Sequence, residues 1–160
     1  MPFLKKKNSD ETLAAIIERL IEEDFARLKK ADQFEFNWDL EREHEVYKIT
    51  LISNEKEILG VMSLIDRADE YRIHLNLIEI QAQHIGKDKK IERIAGCLIA
   101  FACELAFARG YNGFVSLQPK TRLIDLYQDK YGFAQYGRLL GVEDEGSIHL
   151  IQKYLSDEVK

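Results

Sequence analysis

Apolar residues at Leu13, Ile16, Ile17, Leu20, Ile21, Phe25 and Leu28 recur at helical spacing, and Ser9-Asp10-Glu11 precedes them as a cap. The spacing predicts an N-terminal helix within residues 1–31. Its opposite face carries Glu18, Arg19, Glu22, Glu23 and Lys29, a mixed solvated surface and not the basic face of a membrane helix. Phe34, Phe36 and Trp38 then alternate with Glu35, Asn37 and Asp39, the period of a half-buried strand. After the charged turn 41–44, Tyr47, Ile49 and Leu51 alternate with Lys48 and Thr50. Residues 58–65 are almost continuously apolar, as in a strand covered on both faces. With 71–81 these runs predict antiparallel strands across 34–81.

From about Lys90 to Arg109 the chain has little polar face, which predicts a central buried helix stopped by Gly110. Residues 113–118 read as a short strand, so strand, helix and strand form a right-handed crossover with the two strands parallel. Pro119 can open a further helix with Leu123, Ile124, Tyr127 and Tyr131 on its inner face, ended by Gly132. A strand over 133–140 and a terminal amphipathic helix within 145–156 complete the chain. There is no internal repeat and no linker. The expected fold class is α/β of the α+β type: one domain over 1–160, with a mixed, mostly antiparallel sheet, a central parallel strand pair and flanking helices.

At 160 residues and 46% hydrophobic content the chain can bury one sizeable core. No apolar run approaches the roughly 18 residues that span a bilayer. The basic start, Met1 to Lys7, lacks a following apolar signal region, so the expected location is cytoplasmic. Net charge is −5 with basic residues scattered among acids, which argues against a nucleic-acid or membrane partner. Cys97 and Cys103 share one apolar helix on different faces and read as buried thiols. His44, His74, His84 and His149 show no metal-ligand spacing, so no metal is expected.

One stretch suggests chemistry. Ile78 to Leu98 runs from an apolar strand through a lysine-rich loop with one glycine, Gly86, into the start of the apolar helix. Unpaired N–H groups and the helix dipole can dock a phosphate there, and Lys87, Lys89 and Lys90 would add charge. An exposed turn kept soluble by lysines fits the same residues, because the spacing is not that of a dinucleotide or nucleoside-triphosphate loop.

Taken with Tyr127-Gln128-Asp129-Lys130-Tyr131-Gly132-Phe133 and the element order from 34 to 140, the run Ile80 to Leu98 resembles the GCN5-related N-acetyltransferase (GNAT) superfamily. The resemblance covers most of the chain and makes 82–140 the cofactor-binding half. It implies acetyl-CoA as cosubstrate and direct transfer to an amine without an acyl-enzyme. It places Ile80, Ala82, Gly86, Lys87, Lys90, Arg93, Ala95 and Gly96 around the coenzyme, with Arg93 where the family has the first glycine of its phosphate loop. An arginine there either points outward and supplies charge or fills the site. Tyr127 falls where the family has the tyrosine that hydrogen-bonds the coenzyme sulfur; a core tyrosine is the alternative. With a thiol near 8.5 and tyrosine near 10, full proton transfer is uphill by roughly 2 kcal/mol, so a strong hydrogen bond describes it better. Lys120 replaces an asparagine common in the family. Glu79 is the base candidate, against a plain strand glutamate, and the Ile80 amide is a candidate oxyanion donor. The acceptor is a small-molecule or peptide amine, its pocket bordered by the first helix, 34–44 and 139–147. A non-catalytic module of the same fold that binds acyl-CoA or a protein partner is the alternative, and the Phe34, Phe36, Trp38 alternation makes a homodimer possible.

Overall fold

The computed structural model describes residues 2–119 and 123–156. Strands β1 (Phe3–Lys6) and β2 (Thr12–Arg19) form an N-terminal hairpin, and the first helix, α1, spans only Glu22–Lys30. The helix expected over 1–31 is thereby corrected. Leu13, Ala15 and Ile17 satisfy a period of two as well as the helical one, and Ile16-Ile17 is β-branched. Pairing of 15–19 with 47–51 decides between them. Ser9 caps a turn instead of a helix, its Oγ accepting from Glu11 N at 3.0 Å.

The next strands follow the expected boundaries closely: β3 (Glu45–Leu51), β4 (Gly60–Arg67) and β5 (Arg72–Ile80). A short β6 (Ile91–Glu92) precedes α2 (Ile94–Ala108), followed by β7 (Val115–Leu117), α3 (Ile124–Tyr131), β8 (Ala134–Tyr136), β9 (Leu139–Val142) and α4 (Asp144–Leu155). The single strand expected over 133–140 is a hairpin, because Gly137 at φ +63° turns the chain between β8 and β9. Pro119 is not helical and Lys120 lies outside the described residues.

Among the described residues the strands make one sheet in the order β6-β1-β2-β3-β4-β5-β7-β9-β8. Only β5 and β7 run parallel, joined by the α2 crossover. The main core lies between the sheet and α2, α3 and α4, with Leu98, Ile99 and Leu150 fully buried. A smaller cluster on the other face holds Phe25 and Leu28 of α1 with Trp38, Val46 and Val61.

The strand expected over 34–39 is absent; the segment is irregular and ends in a 3₁₀ turn, Trp38–Glu41. Its donors find a carboxylate instead of a neighbouring strand. Glu79 accepts from Glu35 N at 2.6 Å, Phe36 N at 3.3 Å and Trp38 Nε1 at 2.8 Å. Trp38 is buried by this arrangement, so the aromatic alternation does not form an exposed face.

The end of α2 is tied to β3. Arg109 Nη2 lies 2.6 Å from Glu45 Oε1, and Arg109 Nη1 lies 3.0 Å from Asp66 Oδ2. The guanidinium holds the Glu45 carboxyl below its ordinary value. A depressed carboxylate contributes stability that is complete above the unfolded value, about 4.3, and is lost as pH falls through the folded one. Thermal unfolding at low salt is therefore expected to show stability falling below about pH 4. In Glu45→Gln that fall should shrink; an unchanged acid limb would assign it to other carboxylates.

Candidate functional site

The site begins at an irregularity. In the β4–β5 pair Ser63 lies opposite Leu77 and Leu64 opposite Leu75, leaving Asn76 as a bulge. Its effect on side-chain parity is visible in the core, where Ile73 and Leu75 are followed by Ile78 and Ile80. Pairing between β5 and β7 ends at Leu75 and Leu117, so beyond the bulge β5 has no partner on that edge. Gln81 N donates to Leu59 O at 2.8 Å, which makes Gly60 and Ile80 a non-hydrogen-bonded pair. The Ile80 N–H therefore points to the open edge.

At that edge a cleft of about 510 Å³ opens against the start of α2. Its floor is the helix N-terminus: the first helical bond runs from Cys97 N to Arg93 O at 2.9 Å, so the N–H groups of Ile94, Ala95 and Gly96 lie ahead of the ladder. Lys89, Lys130 and Lys153 surround it with positive charge, and Tyr131 and Tyr154 form an aromatic wall. Burial pushes the Tyr131 phenol up, so it is protonated at neutral pH.

Arg93 adopts φ +82°, the left-handed conformation that suits glycine. Its side chain takes neither expected course. Nε donates to Phe3 O at 3.1 Å and Nη2 to Lys153 O at 2.7 Å, with the guanidinium 3.9 Å from the Phe3 ring centre and 4.9 Å from that of Tyr154. A left-handed residue costs about 1–2 kcal/mol, which two charged hydrogen bonds at about 1.5–3 kcal/mol each exceed. Arg93 thus fastens both β1 and α4 to the cleft.

Of the residues that the resemblance places around the coenzyme, Ile80, Gly86, Arg93, Ala95 and Gly96 line this cleft. Lys87 and Lys90 do not; they line a second cleft. The expectation that the loop's lysines serve one cradle is corrected to that extent, because Lys7 N bonds Lys90 O at 3.0 Å and draws the loop toward β1. Ala82 lies in an exposed turn with its N–H on Gln33 O at 3.1 Å. Glu79 faces the α1 side, on the opposite face from α2. Tyr127 is 8% exposed, packs against Tyr131 and Phe133, and is not among the cleft's lining residues. Burial raises its phenol pKa.

Several lining residues carry little local signal. Tyr131 lies four positions after Tyr127 on the same helix, a spacing that would have nominated it. Lys153 and Tyr154 arrive from the far end of the chain, and only tertiary packing brings them in. Cys97 and Cys103 are fully buried, and burial pushes both thiols up to about 12, which makes them poor nucleophiles at neutral pH. Among the described residues no three His, Cys, Asp or Glu side chains group as metal ligands, and no helix is long and apolar enough to cross a membrane.

Solved structures of acetyltransferases share this fold. Spermidine/spermine N-acetyltransferase SpeG from Vibrio cholerae is 14% identical, with 87% of this chain and 96% of that one covered at a TM-score of 0.59. AtaTR bound with acetyl-CoA is 14% identical, with 86% and 98% covered at 0.59. The N-acetyltransferase YlbP of Bacillus subtilis, in complex with coenzyme A, is 13% identical, with 82% and 97% covered at 0.56. No family model matches the chain, and no curated protein matches it. The chain has the GNAT fold.

Proposed function

We propose that the protein is an N-acetyltransferase that uses acetyl-CoA and acts on an amine. The observation that carries this reading is the set of open N–H groups at Ile94, Ala95 and Gly96, facing a lysine-flanked cleft beside the unpaired edge of β5. Diphosphate oxygens fit such donors, and an extended pantetheine arm fits a strand edge. Two neighbours of the same fold were solved with the coenzyme or its acetyl form, which supports the same occupant here.

Acetyl-CoA would supply an acetyl carbonyl activated by its thioester to a neutral amine. The Ile80 N–H is placed to hold the carbonyl oxygen as negative charge develops on it. A tyrosine of α3 supplies a hydrogen bond to the departing sulfur: Tyr131 lines the cleft, whereas Tyr127 reaches it only if the aromatic cluster shifts. Glu79, with three donors on its two oxygens, orders the 35–38 segment on the α1 side, so its contribution as a base would run through bound water. The acceptor is an amine approaching from that side, bordered by α1 and 34–44.

Calorimetric titration with acetyl-CoA tests the reading directly. Saturable binding by the native chain, retained in Arg93→Gly at reduced stability, is the expected result; no binding by either would overturn it. In an amine screen Tyr131→Phe should lower kcat by about 10²-fold or more while Tyr127→Phe leaves it within a few-fold. The reverse order would place Tyr127 at the sulfur.

A further inference from the structure

Lys87 and Lys90 project into a cleft of about 630 Å³ that no residue of α2 lines. Its walls come from three places: Lys6, Lys7 and Asn8 at the end of β1; Leu51, Glu57 and Leu59 around the β3–β4 connection; and the loop from Gln83 to Ile91. The walls are joined. Lys7 N donates to Lys90 O at 3.0 Å, and Lys7 Nζ donates to Lys87 O. Five lysines meet two carboxylates here, in a chain whose net charge is −5.

Little of that positive charge is neutralised. Lys6 reaches Glu11 at 3.3 Å and Lys89 reaches Glu92 at 4.0 Å, whereas Lys87 and Lys90 have no carboxylate within 4.0 Å among the described residues. Glu57 Oε1 accepts from the neutral amides Gln81 Nε2 at 3.3 Å and Gln83 Nε2 at 3.2 Å and forms no ion pair with a cleft lysine among the described residues, so five ammonium groups still outnumber the two carboxylates. A second feature is His84, which lines both this cleft and the one at the start of α2. Only 7% of its surface is exposed, and its buried Nδ1 has no hydrogen-bond partner among the described residues. Native proteins rarely leave a buried ring nitrogen unpaired, and converging ammonium groups repel one another. A multiply charged anion offsets the ammonium repulsion and offers oxygens that can accept from His84 in the tautomer with its proton on Nδ1.

We propose that this cleft binds a compact polyanion of the oligophosphate class, between pyrophosphate and a nucleoside diphosphate in size, independently of the cleft at the start of α2. Lysine ammonium groups act as point charges that meet tetrahedral phosphate oxygens from any direction, and lysines on two separate segments surround such a group better than a planar carboxylate. The enclosure by three turns suits a small ligand and not a track for a polymer. The two clefts share His84, Lys89 and Ile91, whereas Lys6, Lys7, Lys87 and Lys90 border only this one, so the titration below includes acetyl-CoA as a competitor.

The test is calorimetric titration of the whole chain with inorganic tripolyphosphate at one fixed ionic strength, because exposed charges are screened by salt. One saturable site is expected. Its Kd should rise at least tenfold in Lys87→Glu/Lys90→Glu, whereas Lys30→Glu/Lys56→Glu, with the same change of charge elsewhere on the surface, should leave it within about twofold. Lys87→Gln/Lys90→Gln gives the same readout if charge reversal perturbs folding, as circular dichroism would show. Saturating acetyl-CoA should leave the Kd unchanged. No saturable binding, or equal weakening by both reversals, would overturn the proposal. Displacement of tripolyphosphate by acetyl-CoA would overturn it too, by assigning the lysines to the coenzyme. Failure of acetyl-CoA to bind at all bears only on the catalytic reading.

Discussion

Replacing Gly96 by alanine is expected to destabilise the protein by about 2–4 kcal/mol, although glycine-to-alanine in a helix ordinarily stabilises by about 1 kcal/mol. The sign is decided by Tyr154. A Cβ at position 96 would lie 2.6 Å from Tyr154 Cδ1 and nearer still to Cε1 and Cζ, so the ring must leave its seat. That ring is 3% exposed and packs against Tyr131 and the Arg93 guanidinium. Unseating it forfeits burial comparable to an aromatic-to-alanine change, about 3–5 kcal/mol, which exceeds the gain in helix propensity. Because Tyr154 also walls the cleft, acetyl-CoA binding should change with stability. Denaturant titration of Gly96→Ala, Tyr154→Ala and the double variant checks the cause. If Tyr154 is the reason, the double variant costs no more than Tyr154→Ala alone; additive costs would mean that alanine acts elsewhere.

How much of this arrangement the chain discloses locally depends on what fixes each element. β3 to β5 and α2 are legible because 45–51 alternates, 58–65 is continuously apolar and 94–108 is apolar all round, and each pattern admits one burial geometry. The first thirty residues mislead because Leu13, Ala15, Ile16 and Ile17 satisfy both periods, and the choice is made by a partner strand thirty residues later. The 34–38 segment misleads for a related reason: its strand-like alternation is real, but its donors are taken by Glu79, a residue on another element. In the cleft, Ile80, Gly86, Arg93, Ala95 and Gly96 can be named because a strand, a loop and a helix start follow one another in sequence. Arg93 has a left-handed backbone of the kind that suits glycine. What it does there cannot be read locally, since its partners, Phe3 and Lys153, lie at opposite ends of the chain.

The seat of α1, which borders the proposed acceptor side, depends on another pair remote in sequence. Asp24 is fully buried and accepts from Lys48 Nζ at 3.0 Å on Oδ1 and 2.8 Å on Oδ2. Its carboxylate also takes Ile21 N at 3.0 Å, capping the helix, and Arg27 Nη1 at 3.3 Å. Asp24→Ala should cost about 3–5 kcal/mol, because the ammonium of Lys48, itself 8% exposed, stays buried without its partner. The lost cap accounts for about 1 kcal/mol of that. Replacing both members, as Asp24→Ala/Lys48→Met, removes the stranded charge and should recover most of the loss, because a buried ion pair often contributes little over an apolar replacement. Urea midpoints of the two single variants and the double give the coupling. A cost below about 1 kcal/mol for Asp24→Ala would mean that Phe25 and Leu28 alone hold α1 on the sheet, and α1 would then tolerate changes at Lys48 freely.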